Sequence, residues 1–172
     1  LANGLAENQK IEEAGTDFSA FRKALHYCTV NLSKMIAKDG EGATKLIECN
    51  VRGAKTAKMA KNVAKSVIKS SLVKAAMFGA DANWGRVLCA IGYAGEPVDV
   101  NRIDVSFRSS KGRLPVCENG SGIPFDEQFA KEVLLKDEVE INIDLKLGGC
   151  KASAWGCDLT YDYVKINGDY RT

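Results

Sequence analysis

The 172-residue chain predicts an α+β fold of layered, mixed or antiparallel sheets with helices, and three observations carry that reading. Phe18, Phe21, Leu25, Cys28, Leu32 and Met35 recur at spacings of three and four, the period of one helix face. Val139, Ile141, Ile143, Leu145 and Leu147 alternate strictly, as a strand with one buried face does. Helical patterns crowd the first half and extended ones follow Pro97, which suits strands returning by hairpins around bunched helices.

The first helix is expected to be capped by Thr16 or Asp17 and to end near Asp39. Asp39–Lys45, DGEGATK, then leads into a strand over Lys45 to Val51. Two glycines flank Glu41 there, so the backbone can turn tightly through positive dihedral angles and push one carboxylate into a cleft. An ordinary helix-to-strand connection with Gly40 as the C-terminal cap is the competing reading, and on these residues alone the preferred one.

A second helical stretch follows around Ala57, Ala60, Ala64, Val67 and Ile68, with Lys55, Lys58, Lys61, Lys65 and Lys69 on its other face. Phosphate binding needs a concentrated positive field, often with stacking aromatics. The net charge is only +2 and the stripe holds no aromatic, so a solvated face is expected. After a short apolar run, Leu72 to Phe78, a third helix starts near Asn83 or Trp84, carries Val87, Leu88 and Ile91, and ends at Gly92 and Gly95. Trp84 reads as the anchor of that helix in preference to a ligand-stacking aromatic.

Pro97 opens the extended half, and 95–99 is the one plausible lobe boundary. Extended segments are expected over Val98 to Phe107 and Leu114 to Val116, then a helix from about Asp126 to Leu135 and the alternating strand. Another strand follows the Gly148–Gly149–Cys150 turn. Leu159, Tyr161 and Tyr163 alternate, so the C-terminus reads as tied into a sheet, delivering the Asn167 amide, the Thr172 hydroxyl and the terminal carboxylate to a fixed place. A plain polar tail is the competing reading.

Composition narrows the class. With 45% hydrophobic residues a chain of this size buries roughly 70% of its extended surface in one core. No apolar run approaches the ~20 residues needed to span a bilayer, and the N-terminus lacks the charged-then-apolar layout of a signal peptide. The cytosol or an organelle matrix is the expected compartment. Cys28, Cys49, Cys89, Cys117, Cys150 and Cys157 stand singly with no C-x-x-C pair, which argues against a zinc site and a disulfide framework and for buried thiols acting as small apolar groups. Cys150 and Cys157 are the pair to test for proximity. GEGAT and LGGC lack the frame of a phosphate-binding loop. His26, the single histidine, sits in a helical pattern and reads as a packed or surface residue.

Three strings carry a resemblance: GEGATK at Gly40–Lys45, FGADANWGR at Phe78–Arg86, and AWGCDLTYDYVKINGDYRT from Ala154 to the end. Together and in this order they resemble the C-terminal part of the β chain of ornithine acetyltransferase, also called glutamate N-acetyltransferase. The resemblance implies an N-terminal-nucleophile-like fold, and acetyl transfer from N-acetylornithine to glutamate through a threonine acyl-enzyme in arginine biosynthesis. The threonine's own α-amine acts as its base, so no histidine is needed. It implies self-cleavage into α and β chains, a heterotetramer of two of each, no metal and no cofactor. Residue by residue, Glu41, Asn167 and Thr172 resemble the family's substrate contacts. The chain begins LANGLAENQ, where a family β chain would begin with the nucleophile. The catalytic threonine is therefore expected on a missing N-terminal part of β, and the oxyanion donors with the α chain. Acetyl-CoA-dependent synthesis of N-acetylglutamate is a close alternative, and a non-catalytic interaction subunit is another. The cytoplasm, or the mitochondrial matrix in a eukaryote, is the implied location.

Overall fold

A computed structural model describes residues 3–170. The chain divides into two compact units between Ser33 and Lys34. Residues 95–99 fall inside the second unit, whose sheet draws strands from both sides of them.

In chain order the elements are α1 (Thr16–Lys38), β1 (Leu46–Ala54), α2 (Ala57–Lys69), α3 (Ser71–Phe78), α4 (Trp84–Gly92), a 3-10 turn at Val100–Arg102, β2 (Asp104–Ser109), β3 (Gly112–Glu118), β4 (Ser121–Gly122), α5 (Glu127–Leu134), β5 (Glu138–Asp144), β6 (Cys150–Cys157) and α6 (Tyr161–Asp169). Six strands form one mixed sheet in the order β4-β3-β2-β5-β1-β6. β1 runs parallel to β5, and every other pair is antiparallel. This is the α+β, layered arrangement expected.

The sheet's two faces differ as alternation requires. Ile47, Cys49 and Val51 sit beside Val139, Ile141 and Ile143, all buried, and join Val105, Phe107, Leu114 and Val116 in one core. α2 lays Met59, Ala60, Val63, Ala64 and Val67 on that face, with α3 and α4 packed beside it and α5 over β2 and β3. The other face is a polar ladder. Glu48 pairs with Glu140, Asn50 with Asn142, and Arg52 with Asp144. Lys34 and Arg108 reach the first two carboxylates, and Arg52 Nε donates to Asp144 Oδ2 at 2.9 Å.

Helix starts follow local chemistry. The Thr56 hydroxyl caps α2, Ser70 caps α3, and the Asn83 and Asp126 side chains accept the first free amides of α4 and α5. Trp84 lies against the core and over Gly122, where a Cβ would collide with its indole, so it anchors α4 as expected.

Some expectations need correction. The Leu159–Tyr163 segment is not a strand: Thr160 accepts the Tyr163 amide and α6 runs from Tyr161 to Asp169. A three-residue alternation carries little weight against an N-cap threonine followed by Asp162 in the first turn. Leu72 to Phe78 is a helix, α3, because Ser70 offers a cap to an apolar segment that buries Val73, Ala76 and Met77. Residues before Ile103 fold into the 3-10 turn closed by the Asp99 side chain, and do not extend continuously from Val98. Thr16 and Asp17 are the first residues of α1 and do not cap it, and α1 buries none of its residues. No helix among the described residues is long and apolar enough to cross a membrane.

Candidate functional site

Antiparallel pairing of β1 with β6 sets Leu46 opposite Cys157. The loop that enters β1 and the segment that leaves β6 are therefore neighbours by topology, although more than a hundred residues separate them in sequence. Asp158, the first residue past β6, is buried and turns its carboxylate onto that loop. Its Oδ1 accepts the Thr44 amide at 2.8 Å and the Lys45 amide at 3.0 Å, and its Oδ2 accepts the Thr44 hydroxyl. Two residues on, the buried Thr160 hydroxyl donates to the Gly42 carbonyl at 2.7 Å while accepting the Tyr163 amide that starts α6.

The glycines on either side of Glu41 make this approach possible. Gly42 has φ +65°, and a Cβ there would stand 2.9 Å from both Asp162 Cβ and the Tyr163 nitrogen. A Cβ on Gly40 would stand 2.7 Å from Cys157 Sγ. Of the two, only Gly42 has positive φ; Gly42 lets the loop pack against the backbone of α6, and Gly40 makes room for the Cys157 side chain. The Ala43 amide closes the turn on the Gly40 carbonyl at 2.9 Å.

Held this way, Glu41 meets α6. The Asn167 amide donates to Glu41 Oε2 at 2.8 Å and to the Tyr163 carbonyl one turn back at 2.9 Å. Both side chains are exposed, so the carboxylate keeps acceptor capacity toward solvent. Such an arrangement can receive an ammonium group, with the amide fixing the carboxylate's orientation.

Behind the loop lies a buried cation that sequence reasoning did not single out. Lys45 Nζ donates to the Met77 and Phe78 carbonyls, the last of α3. A cation suits that helix end, where carbonyls lack intrahelical partners. Burial pushes the Lys45 pKa down, against the opposing pull of Asp158. Phe78 meets Tyr161 edge to face, ring centres 5.4 Å apart. The three strings GEGATK, FGADANWGR and AWGCDLTYDYVKIN therefore touch one another at one corner of the sheet.

Glu41 and Asn167 are thus brought together, while Thr172 lies outside the described residues. Thr44, Lys45, Asp158 and Thr160 were missed. A lysine heading an apolar strand and an aspartate two residues before an N-cap threonine were the available signals. The expected buried thiols are found at Cys49 and Cys117, where burial pushes the thiol pKa up and leaves them unreactive. Cys28 and Cys89 are exposed instead. Cys150 and Cys157 cap opposite ends of β6, about 23 Å apart at ~3.3 Å per residue, too far to pair.

The profile of the ArgJ family matches residues 1–172. The arginine biosynthesis bifunctional protein ArgJ of Caldanaerobacter subterraneus subsp. tengcongensis is 56% identical over the whole chain, which covers 43% of that protein's length. ArgJ 1 of Clostridium acetobutylicum is 55% identical, with 42% of its length covered. The crystal structure of ArgJ from Bacillus halodurans superposes with a TM-score of 0.90 at 45% identity, over 97% of this chain and 77% of that one. The chain spans less than half the length of the curated relatives it matches. With a family profile covering every residue and relatives above 50% identity, the chain belongs to the ArgJ family.

Proposed function

We propose that this chain supplies part of the substrate site of a glutamate N-acetyltransferase acting in arginine biosynthesis. A threonine carried outside this chain attacks the acetyl carbonyl of N-acetylornithine. The amide C–N bond breaks, ornithine's amine takes the proton and leaves, and the acetyl group rests on the threonine oxygen as an ester. Glutamate's amine then attacks the ester, giving N-acetylglutamate and free threonine. Glu41 faces an ammonium group of the amino acid, and Asn167 and Thr172 complete the grip on it. The contact between Glu41 and Asn167, across 126 positions of sequence, is the observation that carries this reading.

The partners are an α chain and the preceding part of β, assembled two and two, in the cytoplasm or, in a eukaryote, the mitochondrial matrix. The relatives carry the name bifunctional protein, which suits a second activity, and we propose acetyl-CoA as a second donor at the same acyl-threonine.

The test is Glu41→Gln in the full-length protein, assayed with N-acetylornithine and glutamate and separately with acetyl-CoA and glutamate. A hydrogen bond to a charged group contributes about 1.5–3 kcal/mol, so KM for the amino acid rises roughly tenfold to a hundredfold. An unchanged KM with both donors removes Glu41 from the site. Absence of acetyl transfer by the parent removes the enzymatic reading and leaves a non-catalytic subunit.

A further inference from the structure

Glu41 is an exposed side chain on a glycine-flanked turn, and α6 buries none of its residues. Neither partner of the Glu41–Asn167 contact is placed by core packing, so something else must fix their separation. The buried groups that join the loop to the segment after β6 are Asp158 and Thr160. Asp158 gathers two consecutive amides and a hydroxyl of the loop, three donors on one carboxylate, immediately past the strand that pairs with β1. Its backbone is tied to the sheet through β6, and its side chain grips the loop three residues from Glu41.

We propose that Asp158 is a positioning residue for amino-acid binding: its carboxylate sets the loop so that Glu41 stands against Asn167 and presents its remaining acceptor capacity to the substrate ammonium. This rests on the reading of Glu41 as a substrate contact. What matters is the two-amide acceptor geometry rather than the charge. An asparagine can turn its oxygen to the Thr44 and Lys45 amides and its amide group to the Thr44 hydroxyl, keeping every bond in number. An alanine leaves both amides without their acceptor, the Lys45 amide in a buried place. A glutamate keeps the charge but adds a methylene that must push the loop outward.

The experiment uses the full-length protein with Asp158→Ala, Asp158→Asn and Asp158→Glu, each alone and combined with Glu41→Gln. Misplacement of a binding group by about 1 Å costs up to about a hundredfold. KM for the amino acid is expected to rise roughly tenfold to a hundredfold in Asp158→Ala and Asp158→Glu, with kcat within about threefold of the parent. Asp158→Asn restores most of the loss, and in the Glu41→Gln background the Asp158 variants add little further, because the group they position is already disabled. If Asp158→Ala does not fold, the order of Asn against Glu still decides. A glutamate better than asparagine, or full additivity with Glu41→Gln, overturns the proposal. Should the parent transfer no acetyl group, the functional reading fails and amide exchange decides the positioning alone. Faster exchange at Glu41–Lys45 with β1 and β5 unchanged sustains it, and equal exchange overturns it.

Discussion

Gly42 is the position where a single methyl group tests the architecture of the site. Its φ of +65° costs an L-residue about 1–2 kcal/mol. A Cβ there would also stand 2.9 Å from the Tyr163 nitrogen and from Asp162 Cβ, both in the first turn of α6. Neither is the far end of a flexible side chain, so relief requires α6 to move, and overpacking of this kind costs about 1–3 kcal/mol. Gly42→Ala therefore carries a penalty of about 2–5 kcal/mol. Against it stand the interactions that dock α6. The Thr160–Gly42 hydrogen bond contributes about 1 kcal/mol. The Asn167–Glu41 bond involves a charge but is exposed and screened by water, so it contributes about 0.5–1.5 kcal/mol. The Phe78–Tyr161 edge contact adds about 0.5–1.5 kcal/mol. The two sides are comparable, so the alanine leaves α6 with little net docking while the sheet and its core are untouched. Hydrogen exchange of the full-length variant should show α6 amides exchanging at least ~30-fold faster, the equivalent of about 2 kcal/mol, with β1 and β5 unchanged. Gly92→Ala is the control, since no atom lies within 4 Å of the added methyl. If α6 exchange and amino-acid KM in Gly42→Ala match the parent, the close approach of loop and helix does not hold the site.

Two further outcomes follow from charge burial. Lys45 has its pKa depressed by desolvation, so between that lowered value and the ordinary ~10.4 the unfolded chain binds more protons and stability rises with pH. Lys45→Met should abolish this alkaline rise in thermal midpoint and lose about 1.5–3 kcal/mol at neutral pH with the bonds to Met77 and Phe78; a variant with the parent's alkaline profile refutes it. Burial alone would raise the Asp104 pKa, but the Lys146 hydrogen bond, the Asn119 amide and the Lys146 and Arg52 charges outweigh it and hold the carboxyl below its usual range. That stabilisation is present above about pH 4 and is lost as pH falls through the lowered value, so Lys146→Met should flatten the acid limb of stability measured by urea unfolding between pH 5 and pH 2.

The sequence made some of this legible and hid the rest for physical reasons. Elements with a long period or a cap could be read: β5 from Val139, Ile141 and Ile143, α4 from Asn83, and α5 from Asp126. α6 was misread because Leu159, Tyr161 and Tyr163 alternate while all but the first lie on an exposed helix, where burial imposes no period. The six apolar residues of α1 recur with helical spacing and stay exposed, since a period reveals a helix without revealing what covers its face. Glu41 and Asn167 were visible through motif matches, but their 2.8 Å contact was not. Nor were the roles of Asp158 and Lys45, since the local signals that mark them do not say which loop amides or helix carbonyls strand pairing brings to them.

Strand register is the deeper condition of the site. Leu46 opposite Cys157 places the Glu41 turn beside α6, and a slip of two residues between β1 and β6 would carry them apart by about 7 Å, beyond any hydrogen bond. A slip of one would turn Trp155 or Cys157 toward α2 in place of Gly156. Gly156 forbids both, because it lies so close under Ile68 of α2 that even a Cβ would collide. Under a two-residue slip the Ala154 methyl or the Asp158 carboxylate would have to enter that space. The small residue under Ile68 therefore holds, from the core side of the sheet, the register on which the contact at its corner depends. The geometry of the site is thereby tied to the packing of α2 on the sheet.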